Sequence, residues 1–422
     1  MKLSRLLVIV AVLSLVAVAC GGGGGGTPEA CEADEFGCVT VAAGEPIKIG
    51  TLQVITGENQ SLGLDQQYGA ELAADYWGDN AFDGTVGQIK GHDIQLVHED
   101  EGCSAEGGTA GAQRLVTDTQ IVAVIGTSCS SAALGVADKI FGDQGIPLVS
   151  GSNTSPALTN PGTHNPFYLR TAHNDSIQGA AVAQFAVEEL GAASAATIHD
   201  GSPYAEGLAN AFAAAFQELG GTITDQVSVQ VGESDYSSIL TDLATGGPEL
   251  LYYPVFVGEG GLITQQAVEN GSFTYLAGSD GMFTPDWIAA AGAENANGVY
   301  ISGPDLSQLA GNEDFYRNDF LSAYTEAYGE PTSVFHAHTY DATSMVLTAI
   351  DSVAIEDGDT LHIPRSALRD ALFATENFPG LTGSLSCNEN GDCQQSATIG
   401  VVTVENGEFT DYVFSQTLGL EG

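Results

Sequence analysis

The sequence predicts an α/β protein with parallel sheets covered by helices on both faces, arranged as two domains. Three observations carry this. Short apolar, β-branched runs alternate with amphipathic windows along most of the chain, as parallel strands buried between helices do. At 422 residues the chain can bury a sizeable core and fits two domains better than one. No long low-complexity linker divides the globular part, so short crossings should join the domains. The stretch 170–175, RTAHND, is one, because a fresh strand–helix series begins after it.

In chain order, the first nineteen residues read as a targeting segment. Lys2 and Arg5 supply positive charge, 6–19 is apolar, and small residues precede Cys20. The run is too short to span a bilayer comfortably. It resembles a bacterial lipoprotein signal, which would make 1–19 a signal peptide and Cys20 the acylated first residue of the mature chain. An ordinary secretory peptide cut near the same place is the alternative. Six glycines from Gly21 to Gly26 then suggest a flexible tether, with 20–46 as its extent.

Strands are expected at 47–54, 94–97, 121–125, 146–149, 195–198, 226–231, 250–255 and 274–277, with helices at 180–190, 204–219 and 262–270. Farther on, 313–328, 335–355 and 366–375 read as helical. The alternating runs 398–404 and 408–414 read as a hairpin around Glu405-Asn406-Gly407.

The stretch 121–159 organises the functional reading. Its apolar strand opens into Gly126-Thr127-Ser128-Cys129-Ser130-Ser131, followed by a helix over 132–141. Free N–H groups and the positive end of the helix dipole favour an anion there, and the Ser130 and Ser131 hydroxyls can donate to one, a carboxylate for example. The strand 146–149 opens into a second small polar loop, Ser150-Gly151-Ser152-Asn153-Thr154. Loops at the carboxyl ends of strands are where open α/β sheets bind ligands. Serine is also an ordinary N-cap, so either loop alone is equally a capped turn.

Composition removes several function classes. Lys+Arg 10 against Asp+Glu 54 gives a formal charge of −44, so nucleic acid and anionic membrane surfaces are poor partners. The spread of acidic residues suits a solvated surface in saline or extracytoplasmic conditions. Setting Cys20 aside leaves six of the seven cysteines, an even number that fits three disulfides in an exported chain. Cys31 with Cys38 and Cys387 with Cys393 would each close a small loop, and Cys103 with Cys129 would tie two neighbouring loops. No CxxC spacing favours a metal.

Enzyme chemistry has little support. GTSCS departs from a nucleophile elbow at its fifth position. His336 and His338 could chelate a metal from a strand, but their surroundings read helical, which makes them core or surface histidines. The close-set glycines stand in the tether, so no phosphate loop is present. No cofactor or metal is expected. Binding chemistry fares better: Tyr204, following Asp200-Gly201-Ser202-Pro203, and Asp280, between Ser279 and Gly281, could hold a zwitterion's amine while hydroxyls and N–H groups take its carboxylate.

From about 47 to 414 the chain resembles the substrate-binding proteins of branched-chain amino-acid ABC transporters, the leucine/isoleucine/valine-binding family with the type I periplasmic-binding fold. VIGTSCSS, SGSNTSPALT and YLRTAHNDSIQG carry the resemblance, followed in order by IHDGSPYAEGLA, LLYYPVF, LAGSDG and FHAHTYDA. It implies two lobes joined by three crossings, with 47–173 and 304–395 in the first lobe and 174–303 and 396–422 in the second. It further implies that Ser130 takes a ligand carboxylate, that Ser152 and Thr154 act in the second loop, and that Tyr204 closes over the ligand. Asp280 stands where the family has a glutamate for the amine, Phe335 matches an apolar wall, and Cys103 and Cys129 match a first-lobe disulfide. Phe256 replaces a tyrosine, and Leu62 stands where an aromatic wall residue is usual.

The implied function is extracytoplasmic capture of an amino acid by a monomer. Lipid on Cys20 would hold it at the membrane, and an ABC permease and its ATPases would be its partners. A sensor subunit of the same fold, or a binder of an amide, urea or aromatic acid, is the alternative. The acidic surface makes a first prediction. Raising NaCl to about 1 M, where charges are screened beyond about 3 Å, raises the melting temperature. A melting temperature that fails to rise contradicts the reading of a surface suited to salt.

Overall fold

The computed structural model describes residues 27–78, 81–309 and 311–420. The expected signal peptide, Cys20 and the glycine run lie outside them.

Two open sheets carry the architecture. The first has six strands in the spatial order Gln88–Ile89, His92–Asp100, Ile47–Gln53, Ile121–Gly126, Leu148–Ser150 and Tyr168–Arg170. All its pairings are parallel except that of Gln88–Ile89. The second sheet runs Glu408–Phe409, Ser396–Glu405, Tyr300–Pro304, Tyr275–Gly278, Leu250–Tyr252, Ser194–His199 and Thr222–Ser228, with Phe414–Gly419 also paired to Ser396–Glu405. Its central pairings are parallel, and Ser396–Glu405 joins antiparallel to Tyr300–Pro304. Buried strands such as Ile121–Gly126, with every residue inside, explain why continuous β-branched runs marked them in the sequence.

Strand order locates the two crevices. Ile47–Gln53 lies between His92–Asp100 and Ile121–Gly126, so successive connections leave it in opposite directions. Ser194–His199 does the same between Thr222–Ser228 and Leu250–Tyr252. Such reversals open a crevice at the carboxyl ends of the strands. The loops there lead to Leu62 and Ser130 in one sheet, and to Tyr204 and Phe256 in the other.

The chain passes between the sheets three times, after Arg170, after Pro304 and before Ser396. The helix His336–Val353 returns to the first sheet, where Ala342, Met345 and Val346 share one core with Ile47, Ile49 and Ile125. Arg170, fully buried at the first crossing, ties these segments together. Its Nε donates to Asp392 Oδ1 at 2.6 Å, and its other nitrogens donate to Asn153 O, Ser155 O and Thr159 Oγ1. Backbone bonds from Arg170 N to Gly391 O and from Cys393 N to Arg170 O add the loop closed by the Cys387–Cys393 disulfide.

Several expectations are corrected. The tether expected over 20–46 is folded in its described part. Glu29–Ala33 is a helix, Cys31 is bonded to Cys38, and Cys38–Val41 pairs antiparallel with Thr360–Pro364. Val39 and Val41 are buried, an alternation that the preceding glycines obscured. The hairpin around Asn406 has only Glu408–Phe409 as its second arm, and the long partner of Ser396–Glu405 is Phe414–Gly419. Tyr412, packed at Gly400, fills the space between the two arms. The strand expected at 226–231 lies at Thr222–Ser228, an edge strand with no buried residue and therefore no apolar signal. The helix expected over 132–141 starts at Ser130 and changes to a π-turn over Ala137–Phe141.

Removing one partner of a buried ion pair leaves the other charge unpaired, at a cost of about 3–5 kcal/mol. Asp392→Leu should therefore lower the urea midpoint by that free energy, and an unchanged midpoint would show that Arg170 finds compensation elsewhere.

Candidate ligand-binding cleft

On the first-lobe side, Ser130 is the buried first residue of the helix Ser130–Val136. The preceding loop is pinned by the Cys103–Cys129 disulfide and by Cys129 N donating to Glu101 Oε1 at 2.8 Å. Burial raises the Glu101 carboxyl well above the usual range, against the pull of its donors from Cys129, Thr127 and Ser128, and it props the loop from beneath. The Ser130 hydroxyl has only a long contact, accepting from Ser155 N at 3.4 Å, which leaves it able to donate.

The second loop divides its side chains. Ser152 Oγ donates to Gln66 Oε1 at 3.0 Å and Ser128 O at 2.8 Å, so its hydroxyl is committed within the lobe. Asn153 turns inward as well, its Oδ1 accepting from Thr127 Oγ1 and the Tyr168 hydroxyl. Thr154 differs: its buried Oγ1 makes no close hydrogen bond, and the group it bears on is the Asp175 carboxyl. A buried hydroxyl left unsatisfied costs about 1–3 kcal/mol, which marks Thr154 as the group of this loop kept for something else.

On the second-lobe side, Tyr204 lies in the first turn of the helix Pro203–Glu218, capped by Ser202. Its hydroxyl is 2.6 Å from Ser279 Oγ and donates to Asp280 Oδ1 at 3.0 Å. Gln178 Nε2 donates to the same oxygen at 2.8 Å. Asp280 is thus buried with uncharged partners. Burial pushes its carboxyl up to about 6, against the opposing pull of Gln178 and Tyr204.

Leu62, Phe335 and Phe256 come together in one interlobe apolar cluster with Val54, Cys129 and Phe283. A narrow gap of only about 10 Å³ is lined by Leu62, Phe256 and Asp280 together with Ser61, Gly281 and Ser333, so the lobes are nearly shut on one another here. The lobes meet around it: Ser61 Oγ donates to Asp286 Oδ2, and Ser155 Oγ donates to Pro203 O at 2.8 Å.

Sequence reasoning passed over three contributors. Asp175, in the first turn of the helix Asp175–Glu188, is completely buried, and neither carboxylate oxygen makes a close hydrogen bond, the Thr154 hydroxyl being the donor that bears on it. Gln178 orients Asp280 and also meets His173 Nε2 at 2.5 Å through its Oε1. Asp65 holds the Phe335 wall, accepting at Oδ2 from Phe335 N and His336 N and at Oδ1 from the Tyr324 hydroxyl. Asp175 and Gln178 stood in HNDSIQG, read there only as a helix start. His336 also meets Asp65, and His338 is buried against Phe335 and held uncharged by burial.

Two α/β lobes that meet across a cleft at paired strand-order reversals, with polar groups from both lobes around it, have the architecture of a solute-binding protein. The match to known proteins is specific. A family model described as periplasmic binding protein spans residues 46–408, and the chain belongs to that family. The Leu/Ile/Val-binding protein of Escherichia coli K12 is 29% identical over 84% of this chain and 92% of its own. The crystal structure of a leucine binding protein from Thermotoga maritima superposes with a TM-score of 0.76 at 27% identity, covering 87% of this chain and 98% of that one. A branched-chain amino acid transporter substrate binding protein from Streptococcus pneumoniae, solved with isoleucine, gives 0.73 at 25% identity over 89% and 100%.

Replacing Asp65 with alanine strips four buried donors of their acceptor. A loss of about 3 kcal/mol is expected in urea unfolding, with weakened ligand binding because Phe335 loses its anchor. Full stability in Asp65→Ala would contradict this account of the wall.

Proposed function

We propose that the protein captures a branched-chain or similar small amino acid in the interlobe cleft and delivers it to an ABC permease. Ser130 and the N–H groups around it take the carboxylate, with Thr154 bridging to the ammonium. Asp280, set by Tyr204 and Gln178, takes the ammonium from the other lobe. Leu62, Phe256 and Phe335 receive the side chain. The observation that carries this reading is the buried Asp280 carboxylate with only uncharged partners, close to a first-lobe loop whose Thr154 hydroxyl makes no close hydrogen bond. A desolvated carboxylate calls for a cation, and an amino acid brings one together with its own anion.

Closure follows from the division of contacts. A ligand shifts a two-state equilibrium only by its differential affinity, and Tyr204 and Asp280 are contacts that only the closed lobes supply. Cys20 would carry the lipid that keeps the chain, as a monomer outside the cytoplasm, beside its permease and ATPases. The named ligands of the Escherichia coli and Streptococcus pneumoniae relatives support this class of solute.

A thermal-shift screen over amino acids, amides and aromatic acids identifies the ligand class, since binding to the native state raises the melting temperature by mass action. Ser130→Ala and Asp280→Ala should then each weaken calorimetric affinity. The loss at Asp280 should be thirtyfold or more, from about 2–5 kcal/mol for truncating a buried charged partner. Unchanged affinity in either variant contradicts the assignment.

A further inference from the structure

Asp175 is the buried group the clamp described above leaves unused. It stands where the chain enters the second lobe, its backbone N–H bonded to Thr154 O at 2.9 Å. Its side-chain oxygens make no close hydrogen bond, and the neutral Thr154 hydroxyl is the donor that bears on them. The ligating atoms of Asp175, Asp280 and His173 all lie within 4.8 Å of one another, and all three residues are buried. Two carboxylates this close in a dry site cannot both ionise without a cation.

The surrounding groups do not provide one. His173 Nε2 donates to Gln178 Oε1, and burial lowers the histidine to about 4, so it is uncharged at neutral pH. Arg170 acts on Asp175 from the neighbouring strand, but its guanidinium is committed to Asp392, Asn153, Ser155 and Thr159. Tyr204, from the helix Pro203–Glu218, and Tyr252, from the strand Leu250–Tyr252, face the pair as neutral phenols held well above their usual range by burial and by both carboxylates. Gln178 and Ser279 complete the surroundings without charge.

We propose that Asp175 and Asp280 act as one unit, sharing a single proton before ligand enters, and that the ligand's ammonium takes that proton's place. The inference rests on the amino-acid reading above and narrows it, because the cleft then selects ligands carrying a protonated amine. The balance is simple: the zwitterion keeps its own protons, the shared carboxyl proton leaves to solvent, and the bound state holds two carboxylates against one ammonium. Burial raises the Asp175 carboxyl well above the ordinary range, and the Asp280 charge raises it further. Protons therefore compete with the ligand at low pH. Affinity should fall about tenfold per pH unit below the pair's midpoint and level off above it.

The test has two parts, both on the full chain. Carboxyl-labelled aspartate is titrated by NMR without ligand in the wild type, Asp175→Asn and Asp280→Asn, with folding of the variants checked by their melting transitions. A raised, coupled titration that disappears in both variants supports the pair. Asp341, also buried and raised to about 6, serves as an internal control that neither variant should move. Calorimetry with L-leucine follows, about one pH unit below the measured midpoint, where the unliganded pair holds nearly a full proton, in two buffers of different ionisation enthalpy. Release of about one proton per ligand, lost in Asp175→Asn, supports the exchange. Absence of the raised titration overturns the proposal whatever the ligand, and so does leucine binding without proton release. A raised pair in a protein that no amine-bearing ligand binds overturns the amino-acid reading and leaves the carboxyl pair standing.

Discussion

A charge taken out of water has to meet its opposite, and this protein places two of its buried carboxyl groups, Asp175 and Asp280, where no side chain is committed to doing so. Asp280 is supported by Gln178 and the Tyr204 hydroxyl, and the Asp175 side chain makes no close hydrogen bond, with only the neutral Thr154 hydroxyl bearing on it. Elsewhere the chain shows that it can satisfy a buried charge fully: Arg170 has Asp392 and three further acceptors. The contrast between the completed network at the hinge and the incomplete one in the cleft divides structure from function. The first fixes the loops, and the second waits for a partner with a positive and a negative end.

The rest of the fold serves to bring those ends together. Each sheet reverses its strand order once near its middle, and the two crevices face each other, so Ser130 and Leu62 come from one lobe and Tyr204 and Phe256 from the other. Arg170 sits at the first of three crossings and grips the loop that presents Thr154. Motion about the crossings therefore changes the distance between the lobes without disturbing the first-lobe grip. The Cys103–Cys129 bridge and the buried Glu101 prop do the same for the Ser130 loop.

Much of this was legible in the sequence, for physical reasons that can be named. Strands such as Ile121–Gly126, buried on both faces, have to be apolar and β-branched, and they were found. Thr222–Ser228, an edge strand, has no such requirement and was displaced by several residues. Disulfide partners could be paired because each pairing closed a sensible loop. The walls Leu62, Phe256 and Phe335 came from resemblance, and the structure gathers them into one cluster. Side-chain direction was not legible: nothing in SGSNT says that Ser152 and Asn153 turn inward while Thr154 is left free. Asp175 was hidden for a related reason, since an aspartate in the first turn of a helix is the expected residue there, and only its burial beside Asp280 reveals a second role.

The central claim is that the cleft recognises a ligand by a carboxylate and an ammonium together. Calorimetric comparison of L-leucine with 4-methylpentanoate, the same skeleton without its amine, tests this directly. The account predicts that leucine binds and that the amine-free acid fails to bind at any concentration practical for titration. Comparable affinities for the two would contradict it.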